Sequence, residues 1–220
     1  VEDGQHELAG NAQDQRHGGD PVSGDALPRP QLTLPEAEAA LLRDVYARAR
    51  VILEYGSGGS TVLASEMRGK TVFSVESDMD WAQMMRRWFT EHPPATGTEV
   101  DVIWSDIGPT KEWGHPVDDS AWRSFPDYPL QVWSLPEFRQ PDVVLVDGRF
   151  REGCALATAF LTEAPLVLLF DDYGQRPQYH RVEEYLGPPQ MTGRMARFEI
   201  VPQPFPVKRL LGIMKLMVRP

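Results

Sequence analysis

Three things are scarce in this sequence. It carries one cysteine, Cys154, in 220 residues, which excludes an intrachain disulfide and any cysteine-rich metal site. No apolar run approaches the roughly 20 residues that a membrane-spanning helix needs; the longest, from Pro165 to Phe170, suits a buried strand. Positive charge is outweighed, with 22 Lys and Arg against 32 Asp and Glu for a net charge of −10. Nucleic-acid binding relies on cations that neutralise phosphates, and the basic residues here fall in scattered pairs such as Arg86-Arg87 and Lys208-Arg209. Neither nucleic acid nor a membrane is therefore expected as a partner. The opening residues show no basic start followed by an apolar stretch, as a secretory signal would. With the lone cysteine, this favours a reducing, cytoplasmic setting.

What is present reads as one globular domain. Hydrophobic residues make up 41% and charged residues 25%, ordinary for a folded chain long enough to bury a core. Residues 1 to about 30 are the exception. They are rich in Gly, Asp, Gln and Pro with almost no periodic apolar positions, too little to offset the entropy of ordering them. A disordered tail or linker is expected over 1–30, and a single domain over 31–220.

From Leu32 the pattern is regular. Thr33 is placed to cap a helix with Pro35 and Glu36 in its first turn, and Ala37, Ala40, Leu41, Val45 and Tyr46 fall on one face. Short apolar strands then alternate with helical spacing. Strands are predicted at Val51–Leu53, Thr71–Val75, Val100–Trp104, Asp142–Val146 and Leu166–Phe170. Helices are predicted at about Ser60–Met67, from Asp78 or Asp80 onward, at Ala155–Leu161 and at Tyr179–Leu186, the last closed by Gly187 and Pro188. In the second of these, Trp81, Met84, Met85, Trp88 and Phe89 repeat at helical spacing and read as core packing. Gln190–Thr192 and Met195–Val201 flank Gly193-Arg194 as a hairpin. Near-continuous apolar strands imply a mostly parallel sheet covered on both faces, a doubly wound, Rossmann-like α/β fold. The stretch from Ile107 to Pro141 breaks the rhythm, with Trp113, Trp122, Trp133 and several prolines but no strand signal. A connection that long is usually functional or disordered, and its aromatic content argues for the former.

The strand Val51-Ile52-Leu53 runs into Glu54-Tyr55-Gly56-Ser57-Gly58-Gly59 and then Ser60-Thr61. Glycines at such a turn let a ligand approach the main chain closely, at the carboxyl ends of the strands. A dinucleotide fingerprint would want a third glycine where Thr61 stands and gives no role to Glu54. An acid at the end of the second strand, Glu76, follows at about the 20-residue distance of a ribose-binding acid. Asp106 ends the third strand, Asp147 the fourth, and Asp171-Asp172 the fifth.

The Glu-x-Gly-x-Gly pattern with acids at successive strand ends resembles class I S-adenosylmethionine-dependent methyltransferases, over most of the chain from about residue 31. Among them, the likeness is to small bacterial methyltransferase-like proteins without an assigned substrate. The resemblance implies a seven-stranded sheet with a C-terminal antiparallel hairpin. It implies that Glu54 organises the loop and the donor's amino-acid part, that Gly56, Ser57, Gly58, Ser60 and Thr61 surround the donor, that Glu76 with Ser77 takes the ribose, and that Asp106 with Ile107 meets the adenine. Asp147-Gly148-Arg149-Phe150 departs from the Asn/Asp-Pro-Pro-aromatic motif of base-directed amino-methylating enzymes, which lowers that substrate class, and a similarity to metal-dependent O-methyltransferases implies a small molecule methylated on oxygen.

Asp147, Asp171 and Asp172 match the positions at which metal-dependent O-methyltransferases hold a divalent cation, with Asp172 in place of the more usual Asn. All-oxygen ligands suit Mg²⁺ or Ca²⁺, and such a cation would acidify an acceptor hydroxyl. Arg149, Phe150 and Arg151 stand where catechol-type members carry a lysine. Metal binding and metal-free positioning by Asp147 are both open at this stage, with Asp147 and Asp172 the catalytic candidates. His115 and His180 are candidate proton acceptors, His115 the stronger because its loop is rich in aromatics; for either, the alternative is plain packing. Cys154 reads as a buried filler. Two other classes compete: a nicotinamide-nucleotide oxidoreductase and a non-catalytic domain that keeps the fold.

Overall fold

The computed structural model describes residues 27–220. Helix α1 (Glu36–Arg48) leads into β1 (Val51–Tyr55), α2 (Gly59–Ser65), β2 (Thr71–Glu76), α3 (Met79–Glu91) and β3 (Glu99–Trp104). The long connection holds a two-residue hairpin, β4 (Thr110–Lys111) with β5 (His115–Pro116), and the short helix α4 (Asp127–Leu130). Then follow β6 (Val143–Val146), α5 (Arg151–Leu161), β7 (Leu166–Phe170), α6 (Glu183–Leu186), β8 (Gln190–Thr192), β9 (Met195–Ile200) and α7 (Leu210–Met217).

The main sheet has seven strands in the order β3-β2-β1-β6-β7-β9-β8. Its first five are parallel, and β9 joins β7 antiparallel with Leu166 opposite Ile200. Side-chain alternation along the strands sorts the core into two layers. Leu53, Tyr55, Val144, Val146, Leu168 and Phe170 face α4 and α5; Ile52, Val143, Leu145 and Leu169 face α1 and α2. Strands covered on both sides need apolar residues at every position, which is why these segments read as continuous runs.

The order reverses between β1 and β6, and a crevice opens there at the carboxyl ends of the strands. The backbone ladder carries one residue past each strand into this crevice. Asp147 N–H donates to Tyr55 O at 3.0 Å, and Asp171 N–H to Val146 O at 3.0 Å. Both carboxylates are thus held at the sheet's tip by main-chain bonds.

Several local expectations change. No side chain caps α1: Thr33 is exposed, and Pro35 occupies the cap. The buried face of α1 is Glu38, Ala39, Leu42, Val45 and Tyr46, while Ala37 and Ala40 are exposed. Alanine is too small to mark a face by itself, and Leu42 sets it. Asp78 caps α3, accepting from Trp81 N–H at 2.8 Å. The helix expected at Tyr179–Leu186 is a 3₁₀ turn over Pro177–Val182 continuing into α6. Helix α7 was not anticipated; its apolar face packs on α5 through Ile213, Leu216 and Met217. Of the tail expected over 1–30, residues 1–26 lie outside the described residues. Residues 27–30 make contacts: Leu27 packs beside Val62, Met85 and Trp88, Arg29 pairs with Glu66 at 2.6 Å, and Pro30 is buried. No helix among the described residues is long and apolar enough to cross a membrane.

Candidate active site

A cavity of about 960 Å³ sits at the crevice, at the upper end of the range for small-molecule sites. Its floor is the turn from Gly56 to Ser60, with Glu76 to Asp78, Asp147 to Arg149 and Asp171-Asp172 along the strand tips. The residues of the β4–β5 hairpin from Lys111 to His115 form one wall, and Pro30 to Leu34 another.

The donor end is built by close backbone approach. Gly56 has φ +103°, and a Cβ there would lie 2.8 Å from Gly148 N; a Cβ on Gly148 would overlap the Tyr128 hydroxyl. The β1 and β6 turns are therefore pressed together, and only glycine fits at either contact. Glu76 closes the turn. It accepts from Ser57 N–H at 3.1 Å, Ser77 N–H at 2.7 Å and Asp78 N–H at 2.9 Å. Burial raises its pKa, and these backbone donors oppose the rise. Glu76 lines the cavity.

Glu54 lies below the turn, fully buried and outside the cavity lining. It accepts from Tyr46 Oη at 2.7 Å and Thr61 Oγ1 at 2.5 Å, and Thr61 Oγ1 in turn accepts from Gly58 N–H at 2.9 Å. Burial pushes its pKa up, with the Thr61 and Tyr46 hydrogen bonds pulling the other way. Glu54 and Thr61 hold the loop from beneath and stand outside the cavity lining. A hydroxyl at Thr61 does work there that a third glycine could not.

Asp106 and Ile107 do not join the site. Asp106 is exposed and accepts from Gly108 N–H at 2.9 Å, and Ile107 is buried in the main core. The β3 edge strand ends too far to the side for its tip residues to line the crevice. Trp81 takes a place there instead. Expected in the core, it is 40% exposed, lines the cavity, and its indole N–H donates to Ser57 O at 2.8 Å. Met85 and Trp88 on the same helix are buried, but the first turn of α3 overhangs the crevice. The helical face is as the spacing predicts, and the end of the helix changes what that face meets.

The hairpin is docked on the donor end. Thr110 Oγ1 donates to Asp78 Oδ2 at 2.9 Å, and Ser77 Oγ to Gly114 O at 3.0 Å. Its tip residue Trp113 has φ +63° and is 85% exposed at the cavity mouth. Trp122 is exposed beneath the Arg123 guanidinium, 4.8 Å from its ring centroid. Trp133 packs inward, its indole donating to Tyr55 Oη at 2.8 Å. Of these three tryptophans, Trp113 alone lines the cavity.

At the far end, oxygens of Asp147, Asp171 and Asp172 lie within 4.8 Å of one another. Three arginines are threaded among them. Arg151 meets Asp147 at 3.0 Å and Asp172 at 3.5 Å, and Arg176 meets Asp172 at 2.9 Å. Arg194 grips both oxygens of Asp171, at 3.0 and 2.7 Å, and reaches Asp172 at 3.3 Å. The three negative charges are matched by three fixed positive ones, and a divalent cation would have to displace the bidentate Arg194 fork. This donor set does not fit a metal. Burial, with help from Asp171 and Asp172 and against the pull of Arg151, raises the pKa of Asp147 to about 6.

His115 lines the cavity, but its Nε2 is engaged by Arg149 Nη1. Burial first, then the charges of Arg149 and Lys111, push its pKa down, so the imidazole is neutral with its lone pair turned to Arg149. His180 is outside the lining; its Nε2 contacts Tyr173 O at 3.2 Å and its ring stacks on Tyr173. Cys154 is fully buried and burial drives its pKa up.

No protein-family model matches the chain, and neither does any curated protein. Solved structures do. A methyltransferase-like protein from Silicibacter pomeroyi DSS-3 is 61% identical, over 87% of this chain and 99% of that one, with a TM-score of 0.85. The O-methyltransferase TomG from Streptomyces achromogenes, in complex with S-adenosylmethionine, is 16% identical over 78% of this chain and 82% of its own, with a TM-score of 0.53. An O-methyltransferase from Bacillus cereus, in complex with S-adenosylhomocysteine, is 15% identical over 80% and 84%, with a TM-score of 0.52. The last two share the fold alone. On the strength of the 61% identity and the seven-stranded, mostly parallel sheet, this chain belongs to the class I S-adenosylmethionine-dependent methyltransferase superfamily.

Proposed function

We propose that this chain is an S-adenosylmethionine-dependent O-methyltransferase acting on a small molecule, with Asp147 as the group that takes the acceptor's proton. The cofactor supplies an electrophilic methyl on a sulfonium when bound. Everything else falls to the protein: alignment, exclusion of water and a deprotonated acceptor oxygen. The Gly56/Gly148 contact and the Glu76 carboxylate fix the donor end. Glu54 and Thr61 hold the turn in shape. Trp81 and Trp113 flank the opening with apolar surface.

The observation that carries the reading is Asp147. It lies on the turn that touches the donor loop, on the cavity wall, with a pKa of about 6. A carboxylate of that basicity is ionised at pH 7 and is a better proton acceptor than an ordinary aspartate. The acceptor hydroxyl would give its proton to Asp147 as the oxygen attacks the methyl carbon and the carbon–sulfur bond breaks. Arg151 orients the carboxylate, and Asp171, Asp172, Arg176 and Arg194 form the rigid network behind it. This chemistry is metal-free. A buried thiol at Cys154 is consistent with the reducing cytoplasmic setting proposed for the protein.

Titration calorimetry with S-adenosylhomocysteine should give one site, with no added heat from millimolar Mg²⁺ or Mn²⁺. Labelled S-adenosylmethionine should then pass its methyl to hydroxyl acceptors with and without chelator at equal rate. Absence of S-adenosylhomocysteine binding would end the donor assignment. Metal binding that Asp171→Ala abolishes would end the metal-free one.

A further inference from the structure

The cavity's arginines are not equivalent. Arg151, Arg176 and Arg194 each have a carboxylate partner. Arg149, on the same wall, forms no ion pair among the described residues. Its side-chain partner is the neutral ring of His115, and its Nε is buried with no hydrogen-bond partner among the described residues. A guanidinium carries five donors and keeps its charge, and leaving a buried donor unmet is costly. Beside three arginines that each meet a carboxylate, the cavity holds one that meets none among the described residues.

The placement is imposed by the fold. Phe150, the next residue, sits at φ +49° and is fully buried against Phe125 and Tyr128, with ring centroids 5.1 and 5.6 Å away. A bulky residue holds that conformation only when packing enforces it, and the bend faces Arg149 toward the β4–β5 hairpin. From the hairpin, Lys111 pairs in register with His115; it too lines the cavity and has no ion-pair partner among the described residues. Two cations without an ion-pair partner among the described residues, from separate segments, thus neighbour His115 on the cavity lining, in a chain of net charge −10.

We propose that Arg149 is the anchor for an oxyanion carried by the methyl acceptor, so that the acceptors are small acids bearing a carboxylate or phosphate beside the hydroxyl that is methylated. This rests on the methyltransferase reading above. Swinging off His115 onto an oxyanion would satisfy the guanidinium with two parallel charge-assisted hydrogen bonds. Lys111 adds a point charge, and Trp113 covers the remainder of the acceptor.

The test uses the full chain saturated with S-adenosylhomocysteine, probed by calorimetry with benzoate, benzamide and inorganic phosphate. Benzoate or phosphate should bind and neutral benzamide should not. In Arg149→Gln, which replaces the cation by a neutral hydrogen-bonding chain, anion affinity should fall about 10- to 100-fold. Affinity for S-adenosylhomocysteine should stay within about twofold, and the melting curve of the ligand-free variant reports folding. Binding of phosphate without benzoate would assign the phosphate class; the reverse would assign carboxylates. The inference is overturned if neither anion binds the wild type, or if both bind Arg149→Gln as well as wild type. It is also overturned if the variant loses S-adenosylhomocysteine, because Arg149 would then serve the donor's own carboxylate. Failure of the wild type to bind S-adenosylhomocysteine is a separate result that removes the methyltransferase reading itself, and this inference with it.

Discussion

Replacing Glu76 by glutamine changes one atom and separates two roles of that side chain. In the folded protein, Oε1 accepts from Ser77 N–H and Asp78 N–H and Oε2 from Ser57 N–H. The residue is 8% exposed, so water cannot readily stand in. An amide has one accepting oxygen. Whichever way it turns, its NH₂ faces a backbone donor, and at least one N–H loses its partner. An unmet buried donor costs about 1–3 kcal/mol. For a domain of this size, that lowers the melting temperature by between about 2 and 12 °C. The second role is donor binding. Hydrogen bonds from two ribose hydroxyls to a carboxylate are roughly twice as strong as to a neutral acceptor, so S-adenosylhomocysteine should bind Glu76→Gln about 10- to 100-fold more weakly. Differential scanning fluorimetry of the ligand-free variant measures the first effect, and calorimetry below its melting point the second. A folded Glu76→Gln that binds S-adenosylhomocysteine as tightly as wild type refutes the ribose assignment. An unchanged melting temperature refutes the hydrogen-bond accounting.

Four further outcomes are expected. Methyl transfer should rise with pH through an inflection near 6, where Asp147 ionises, and Asp147→Asn should be slow and flat across that range; a wild-type profile level between pH 5 and 7, measured with labelled donor, argues against Asp147 as the proton acceptor. Stability runs the other way. The folded pKa of Asp147 lies above the ordinary carboxylate value, so its contribution is fully present below about pH 4 and is lost as pH rises through 6; Asp147→Asn should lose that dependence in melting curves. Arg194→Ala strips the bidentate partner from Asp171, which is 1% exposed, and should cost about 3–5 kcal/mol in denaturant unfolding; a loss below 1 kcal/mol would mean the pair is not fixed. Gly148→Ala drives a methyl into the Tyr128 hydroxyl and toward Gly56 N, and should cost about 1–3 kcal/mol. Adding Tyr128→Phe should recover part of the loss, and a double variant no better than Gly148→Ala would place the strain elsewhere.

The sequence by itself determined the sheet and the donor turn. Val51–Leu53, Val143–Val146 and Leu166–Phe170 are apolar at every position because both faces are covered. Gly56 and Glu76 were legible because the reason for each is local, a bend and a strand tip. Tertiary structure decided how the tips are used. Asp106 and Glu76 look alike as strand-end acids, yet one ends an edge strand beside the crevice and the other a strand that faces it. Trp81 reads as core by spacing and meets the cavity because its helix overhangs the sheet. Asp147, Asp171 and Asp172 read equally as a cation site or as metal-free positioning groups, and only the fold brings Arg151, Arg176 and Arg194 from three different segments to pair with them. Periodicity along a chain encodes which side of an element is buried; it carries no record of which distant charge will be packed against it, and that pairing sets the chemistry of this site.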